Sequence, residues 1–303
     1  MNRVVLKLAV REPGGRVLLN PGEVLSPRSL QNLVDANRNA PGGAVSLMEH
    51  ATVREDLGPL LDTNPYRLIF DDPVNTDTVL RLLERVLVPV ELLPFLDHFK
   101  HAAPETYDHT LRVTALTAYI GRFLRETVQD LTRGILAAVV HDFGKLCVPE
   151  GLLEKRAPLS AAERELLEQH TLAGYALISY FLGATGSLPA RAARDHHERR
   201  DGSGYPHGIV LQDRMVEIIA VSDIYDALVS DRAYRQEAYE NREALEEITE
   251  MATAGKIGWD VVRALISHNR ETKPDPEACV VSMERRTPAA PMNRDRSPGE
   301  PAG

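Results

Sequence analysis

The first 95 residues alternate short apolar runs with turn signals, a pattern that is typical of a small mixed domain. The apolar runs are VVLKLAV, RVLL and YRLIF, and the turns contain Pro-Gly-Gly or Asn-Pro-Gly. Short apolar runs bounded by glycine and proline favour strands. A helix is predicted over residues 76–88, where the apolar residues fall at helical spacing: Val79, Leu80, Leu83, Val86 and Leu87. We therefore predict a small α+β accessory or regulatory domain over residues 1–95, which could sense a signal, dimerise or brace the rest of the chain.

Residues 96–270 carry the apolar spacing of helices almost throughout. Ser160 and Glu163 form a capping-box pattern, so a helix is predicted from there to about Phe181. Asp130 is the predicted N-cap of the run LTRGILAAVV, and Gly144 is the glycine predicted to end that helix.

The sequence beyond residue 270 changes in character. It contains TKPDPEA, RRTPAAP and RDRSPGEPAG, which are too rich in proline and charge to bury a core. The chain is therefore predicted to be mainly α, with a helical-bundle domain over residues 96–270 that follows the α+β domain, and a disordered tail over residues 271–303.

Composition excludes several classes of protein. The chain of 303 residues has a formal net charge of −9, so binding to a nucleic acid polymer is not expected. Its two cysteines, Cys147 and Cys279, are far apart and in no paired motif, which predicts neither a disulfide framework nor a structural zinc site. No apolar run is long enough for a membrane span, and the run near the N terminus is too short for a signal peptide. A cytoplasmic protein with no membrane partner is expected.

Histidine and aspartate interrupt the apolar faces of three predicted helices. Their neighbours at helical spacing are apolar: Val113, Leu116 and Ile120 beyond His109, Leu166, Leu167, Ala173 and Leu177 around His170, and Ile219, Ala220 and Ala227 around Asp223. A single histidine in such a position is usually a hydrogen-bonded core residue, and roughly one in five would be a ligand. Several helices that each direct a polar group inward are better explained together, by metal ions that satisfy all of them.

His141 and Asp142 stand side by side in HDFGK. Adjacent ligands at a helix end can reach two sides of one centre, and a carboxylate can bridge two cations. Bridged cations lower the pKa of a water molecule between them, which gives a nucleophile for attack on phosphorus. A polar pair on the surface near a helix end would have the same sequence. This pair therefore supports a metal centre only together with the other histidines.

Several motifs resemble the HD-GYP group of the HD phosphohydrolase superfamily. HDFGK with LCVPEGLL, then His170, HHERRDGSGYP and DIYDALVSDRAYR follow in the order of that family over about residues 96–265, with a late AGKIGWDVV. Chance occurrence of HHExxDGxGYP beside the other motifs is negligible. Residues 1–95 show no such resemblance. The resemblance implies a bacterial helical-bundle phosphodiesterase that hydrolyses cyclic di-GMP to pGpG or GMP.

The resemblance also implies two or three divalent metal ions, with iron preferred and manganese as the alternative. Asp142 would bridge two ions, and a metal-bridged hydroxide would be the nucleophile. Glu105 matches a carboxylate that accompanies a third ion in some members, although a glutamate in the first turn of a helix also interacts favourably with the helix dipole. By matching position, the implied ligands are His109, His141, Asp142, His170, His196, His197 and Asp223, with Glu105 as the eighth.

Four residues are implied as substrate contacts. Lys145 of HDFGK would lie beside the metals, touch a phosphate oxygen and act with Asp142 in catalysis. Arg232 and Arg235 would clamp a phosphate or guanine, and Tyr205 of the GYP motif would stack on a base. The alternatives are a solvated Lys145 and a charged surface face at the two arginines. In the family the GYP loop is linked to contacts with diguanylate-cyclase (GGDEF) domains, and a homodimer is left open.

Some positions depart from the family pattern. Arg200 stands where an aromatic residue is common, Thr171 follows His170 where proline is usual, and Ala233 replaces the proline of RPYR. None of these changes removes a ligand, so the predicted function is an active cyclic di-GMP phosphodiesterase. The alternatives are a phosphohydrolase for another cyclic dinucleotide and a cyclic di-GMP receptor with negligible turnover. The complete ligand set favours the enzyme, because a receptor needs no water-activating metal pair.

Overall fold

The computed structural model describes residues 4–37, 42–124, 126–155, 157–230 and 239–282. Within these ranges the chain forms thirteen α-helices, six short β-strands and four short 3-10 helices. The helices include most of the described residues from 93 onward, whereas the strands all lie before residue 90. The prediction of a mainly α chain is confirmed.

The first part of the described chain mixes strands and helices. Its strands pair in twos, each pair antiparallel: β1 (Val4–Val5) with β4 (Val24–Leu25), β2 (Val10–Arg11) with β3 (Val17–Leu19), and β5 (Ala44–Ser46) with β6 (Leu87–Pro89). The helices are α1 (Pro27–Ala36), α2 (Val53–Leu61), α3 (Tyr66–Ile69) and α4 (Pro73–Glu84). Two-stranded ribbons are marginal by themselves, so these strands depend on the helices against which they pack.

Helix α4 does not have the bounds predicted for it. It begins before residue 76 because the Asp72 carboxylate accepts hydrogen bonds from two backbone N–H groups of the first turn, with Pro73 at the first helical position. It ends at Glu84, and Leu87–Pro89 forms β6 instead. The helical spacing of apolar residues continues through Val86 and Leu87, but the pairing of this segment with β5 overrides it.

The remaining helices build the larger part of the fold. Helix α6 packs against α2, α4, α7 and α11, and α9 packs against α1 and α10. The helices are α5 (Leu93–Ala102), α6 (Pro104–Phe123), α7 (Val128–Val140), α8 (Glu150–Leu153), α9 (Ala161–Leu182), α10 (Leu188–Asp195), α11 (Arg214–Val229), α12 (Asn241–Thr253) and α13 (Trp259–His268). The 3-10 helices are Leu47–Glu49, Val90–Leu92, Phe143–Cys147 and Pro276–Ala278.

Capping explains where two of these helices begin. The box of Ser160 and Glu163 is present at the start of α9, as predicted. The predicted N-cap of α7 was wrong: the cap is Thr127, whose hydroxyl accepts a hydrogen bond from the backbone N–H of Asp130. Asp130 lies within the first turn, where its charge is favourable at the positive end of the helix dipole.

Gly144 has a different role from the one predicted. Helix α7 ends at Val140, and Gly144 lies within the 3-10 helix Phe143–Cys147. A Cβ atom at Gly144 would lie 2.5 Å from the backbone nitrogen of Gly174 and closer still to the carbonyl oxygen of His170. Glycine here allows the HDFGK segment to pack directly on the backbone of α9, which brings Asp142 next to His170.

Most of the buried apolar residues that the structure describes, from both parts of the chain, form one large cluster. It runs from Leu6 in the strand region to Cys279 near the end of the described residues. The N-terminal region therefore packs against the helices that follow, although its division from them at residue 95 stays a prediction. Cys279 follows the 3-10 helix Pro276–Ala278 and is buried, so part of the segment predicted as a disordered tail packs on the core. The tail beyond residue 282 lies outside the described residues.

Both cysteines are buried and free. Burial raises the pKa of Cys147 to about 11, and its sulfur contacts the backbone of Arg11. This thiol is therefore protonated and serves as a packing residue. Among the described helices, none is both long and apolar enough to cross a membrane.

Candidate metal centre

The histidines and aspartates predicted from the sequence meet at one place in the helical part. His109 lies on α6, His170 on α9 and Asp223 on α11. His141 and Asp142 follow α7, and His196 and His197 follow α10. All seven side chains are buried except His197, which is partly exposed. Among the described residues, three overlapping groups could each hold a metal ion: His170 with His196 and His197, His109 with His141 and Asp223, and His141 with Asp142 and His196.

Asp142 lies between two sets of imidazoles. Its Oδ2 is 3.4 Å from Nε2 of both His109 and His141. Its Oδ1 is 3.5 Å from Nε2 of His170 and 3.8 Å from Nε2 of His196. Each carboxylate oxygen therefore faces a different pair of ring nitrogens, which is the arrangement of a carboxylate shared by two cations.

Three of the histidines are oriented by their own helices. Nδ1 of His141 donates to the carbonyl of Ala138 at 2.7 Å, and His170 and His196 donate in the same way to the carbonyls of Leu167 and Ala192, each at 2.8 Å. A carbonyl only accepts, so Nδ1 carries the proton. Nε2 of each ring then carries no proton and points into the centre. This is the form in which a histidine binds a metal ion.

His109 is oriented by a residue that was not singled out from the sequence. Its Nδ1 donates to Oδ2 of Asp226 at 2.5 Å, and its Nε2 lies 3.2 Å from Oδ1 of Asp223. Asp226 is fully buried and also accepts from Arg112 and from the hydroxyl of Tyr66. The signal for Asp226 was present: it lies three residues after Asp223 in SDIYDAL and so projects from nearly the same face of α11. Tyr66 had no such signal, because its contact joins distant parts of the chain.

The electrostatics of the centre suit metal binding. Burial lowers the pKa of His170 to about 4 and that of His196 to about 3, so both rings are neutral at pH 7. Burial by itself raises the pKa of Asp142, but the cation of Lys145 and the nearby His141 hold it well below its usual range. Neutral imidazoles and ionised carboxylates are the protonation states that a ligand requires.

His109 differs from the other rings. Burial lowers its pKa, but hydrogen bonds with Asp142, Asp223 and Asp226 outweigh that effect and raise the pKa to about 9. Three carboxylates around one imidazole attract positive charge. A divalent cation that bound beside Nε2 would supply that charge in place of a proton.

The donor set fits a divalent cation on a second ground. Nε2 of His141 and Oδ1 of Asp142 are fully buried and have no hydrogen-bond partner within the described part of the protein. A buried polar atom without a partner costs about 1–3 kcal/mol. A cation coordinated by these atoms removes that cost, so the chemistry and the geometry agree.

The residues predicted to contact substrate lie in different situations. Nζ of Lys145 donates to Oδ2 of Asp142 at 2.5 Å, at the edge of the centre. The ring of Tyr205 stacks on His197, with ring centroids 4.5 Å apart. Glu105 is exposed and lies outside the three metal-binding groups, on the wall of a cleft that reaches His109. Arg232 and Arg235 lie outside the described residues.

The loop that follows His197 is fixed by two buried carboxylates. Glu198 accepts from the backbone N–H groups of His207 and Ile209, at 2.7 and 3.0 Å. Arg200, which stands where the family pattern has an aromatic residue, forms a bidentate ion pair with Glu217. Glu217 also accepts from the backbone N–H of Gly258. The arginine therefore ties this loop to α11 and to the segment before α13.

Gly204 allows a close approach within the loop. A Cβ atom at Gly204 would lie 2.5 Å from Cα of Glu198 and would clash with the carbonyl oxygen of His197. The loop therefore lies directly against the backbone that carries the two adjacent histidines.

Comparison with known proteins gives one family match and several relatives. A family model described as HD domain matches residues 97–261. The chain is 34% identical over 185 residues to a cyclic di-GMP phosphodiesterase of Thermotoga maritima. The matched region covers 60% of this chain and 49% of that protein. It is 40% identical over 103 residues to the cyclic di-GMP phosphodiesterase response regulator RpfG of Xanthomonas campestris pv. campestris, covering 33% of this chain and 27% of that one.

A third relative has a different named substrate. The chain is 29% identical over 168 residues to 3'3'-cGAMP-specific phosphodiesterase 1 of Vibrio cholerae, which covers 55% of this chain and 38% of that protein. The chain thus spans about half or less of the length of these relatives.

Proposed function

Because the chain belongs to the HD domain family, we propose that it is a metal-dependent phosphodiesterase that hydrolyses cyclic di-GMP. The HHExxDGxGYP motif and the relatives from Thermotoga maritima and Xanthomonas campestris support this substrate. The observation that carries the proposal is the position of Asp142, whose two oxygens face two separate sets of imidazole nitrogens.

The residues of the centre have distinct tasks in this proposal. His109, His141 and Asp223 would hold one cation, and His170, His196 and His197 a second, with Asp142 shared between them. Bound there, a pair of divalent cations supplies a water molecule of lowered pKa as nucleophile and neutralises charge on the phosphate. Lys145, beside Asp142, would add a positive charge near the phosphodiester.

The identity and number of the ions belong to the proposal as well. Imidazole with carboxylate suits iron, manganese and zinc, and iron is proposed first with manganese as the alternative. The two sets of ligands around Asp142 support two ions. A third would depend on Glu105, which is exposed on the cleft wall.

A cleft beside the centre offers room for part of the substrate. It has a volume of about 310 Å³ and opens onto His109 between α6 and residues 63–66. Arg112 contributes positive charge to its wall, while Glu105 and Asp108 contribute acceptors. The proposed products are pGpG or GMP. Contacts of the GYP loop with GGDEF domains, a homodimer and a cytoplasmic location stay predictions.

A second candidate function is supported by a specific comparison. The relative from Vibrio cholerae is named as specific for 3'3'-cGAMP, and its similarity extends over a comparable part of this chain. Hydrolysis of another cyclic dinucleotide is therefore the alternative, and a receptor without turnover is the third possibility.

The test uses protein purified without oxygen and loaded with iron or manganese. Metal content is measured first, and hydrolysis of cyclic di-GMP and of 3'3'-cGAMP is then followed by separation of the products. We expect at least two ions per chain, faster hydrolysis of cyclic di-GMP, and none in Asp142→Asn, whose far-ultraviolet helicity should persist. Faster hydrolysis of 3'3'-cGAMP would favour the alternative. Binding of cyclic di-GMP with no turnover above that of Asp142→Asn would make the chain a receptor.

A further inference from the structure

Tyr66 comes from the region that no family motif covers, yet it lies beside the metal centre. It is the first residue of α3 and is only 2% exposed. Its ring packs edge-on against Tyr225, with centroids 6.0 Å apart, and the guanidinium of Arg112 lies 5.8 Å from its centre. The ring is therefore held on two sides, and its hydroxyl has a defined direction.

The hydroxyl of Tyr66 donates to Oδ1 of Asp226. The same carboxylate accepts from Arg112 Nε at 2.5 Å through Oδ1 and from His109 Nδ1 at 2.5 Å through Oδ2. The hydroxyl of Ser230 is a further donor at 3.2 Å. An ionised carboxylate that is completely buried requires several donors, and these donors also fix its plane.

The plane of Asp226 determines the orientation of His109. One oxygen is held by Tyr66 and Arg112, and the other receives the Nδ1–H of His109. Rotation of the carboxylate would turn the imidazole and move Nε2 away from Asp142 and Asp223. Such outer partners of a metal-binding histidine set its tautomer and direction.

We propose that Tyr66 is a positioning residue of the metal centre, which acts through Asp226 to hold His109 in its metal-binding orientation. The N-terminal region thereby completes the centre, although its sequence has no part in the family motifs. Since residues 63–66, which lead into α3, also form one wall of the cleft at His109, a shift of this segment would alter the cleft and the metal ligand together. The inference rests on the proposed ligand role of His109 and not on the identity of the substrate.

The test compares two substitutions that each remove one hydroxyl from a tyrosine bonded to a carboxylate. Tyr66→Phe breaks the bond to Asp226. Tyr107→Phe is the matched control, because Tyr107 is also buried and donates to Asp56 at 2.8 Å. Tyr107 lies two residues before His109 on α6 and so projects from a different face of the helix, and its carboxylate partner also bonds to Thr52 and Lys100. Metal-free protein is titrated with Mn²⁺ against a fluorescent chelator, and the melting temperature is measured separately in the presence of EDTA.

Asp226→Asn should weaken Mn²⁺ binding about 10–100-fold, the effect expected for a direct partner of a metal-binding histidine. Tyr66→Phe removes only one of the bonds that hold Asp226, so it should weaken binding by less, about three- to tenfold. Tyr107→Phe should leave the affinity unchanged. Adding Tyr66→Phe to Asp226→Asn should weaken binding by less than about twofold further, because both substitutions break the same connection.

Equal Mn²⁺ affinity of Tyr66→Phe and Tyr107→Phe would overturn the inference. So would additive effects in the double variant, or a lower metal-free melting temperature of Tyr66→Phe with unchanged Mn²⁺ affinity, since Tyr66 would then stabilise the fold alone. A wild-type protein that binds no Mn²⁺ would instead refute the metal centre itself, which distinguishes that failure from this one.

Discussion

Replacing Gly144 with alanine tests how the HDFGK segment is placed against α9. The added Cβ atom would lie 2.5 Å from the nitrogen of Gly174, whereas ordinary contacts begin at 3.4 Å. The carbonyl oxygen of His170 would lie closer still, so the two backbones would have to separate by at least about 1 Å. Overpacking of this kind costs about 1–3 kcal/mol. A displacement of about 1 Å near reacting groups lowers activity about 100-fold, and here it would move Asp142 away from His170.

The assay combines a urea unfolding curve, metal content and the rate of cyclic di-GMP hydrolysis. Gly151→Ala is the matched control, because Gly151 lies in α8 and nothing is within 4 Å of an added Cβ there. Alanine at that helical position should be neutral or stabilising by up to about 1 kcal/mol. If Gly144→Ala matched Gly151→Ala in stability, metal content and rate, the close approach of the two backbones would not be what holds Asp142 in place.

Three further predictions concern metal number, substrate binding and pH. Glu105→Ala should lower the metal content by one ion if Glu105 is a ligand, and unchanged content would leave it a residue of the helix N-terminus. Arg232→Ala should lower kcat/KM for cyclic di-GMP about ten- to a hundredfold at constant metal content, because a charge-assisted contact contributes about 1.5–3 kcal/mol; wild-type kinetics would make it a solvated residue. Burial, with the charge of Arg122, lowers the pKa of His268 from about 6.5 to about 4. Because the unfolded chain takes up this proton more readily than the folded chain, protonation favours unfolding. The contribution of His268 to the free energy of unfolding is therefore at its highest above pH 6.5 and falls by about 2 kcal/mol on acidification to pH 5. His268→Phe should remove that share of the pH dependence of urea unfolding, and an unchanged dependence would contradict the assignment.

The sequence predicted the site correctly where a metal-binding type of residue stands at a position that the helical spacing assigns to a buried face. His109, His170 and Asp223 stand out because each interrupts an apolar face, and the structure brings these faces together around Asp142. The box of Ser160 and Glu163 is equally local and appears at the start of α9. Such features can be recognised within a few residues of sequence.

Other features depend on contacts between distant parts of the chain. The bond between Tyr66 and Asp226 joins α3 to α11, and nothing near either residue indicates the other. A glycine that ends a helix and a glycine that permits close packing look the same in sequence. The close approach of Gly144 to Gly174 could therefore not be predicted. Leu87 was assigned to a helix because periodicity does not show that β5 is available as a strand partner.

The carboxylate of Glu198 and the ion pair of Arg200 with Glu217 have a consequence for any molecule that docks on the GYP loop. Immobilising a flexible side chain on binding costs about 0.5–1.5 kcal/mol of conformational entropy. Here the backbone N–H groups of His207 and Ile209 already donate to buried Glu198, and Arg200 is already paired with Glu217. Little freedom remains to be lost, so a small contact area can suffice for recognition. A molecule that docked there would therefore meet a preformed surface and would be selected by its shape.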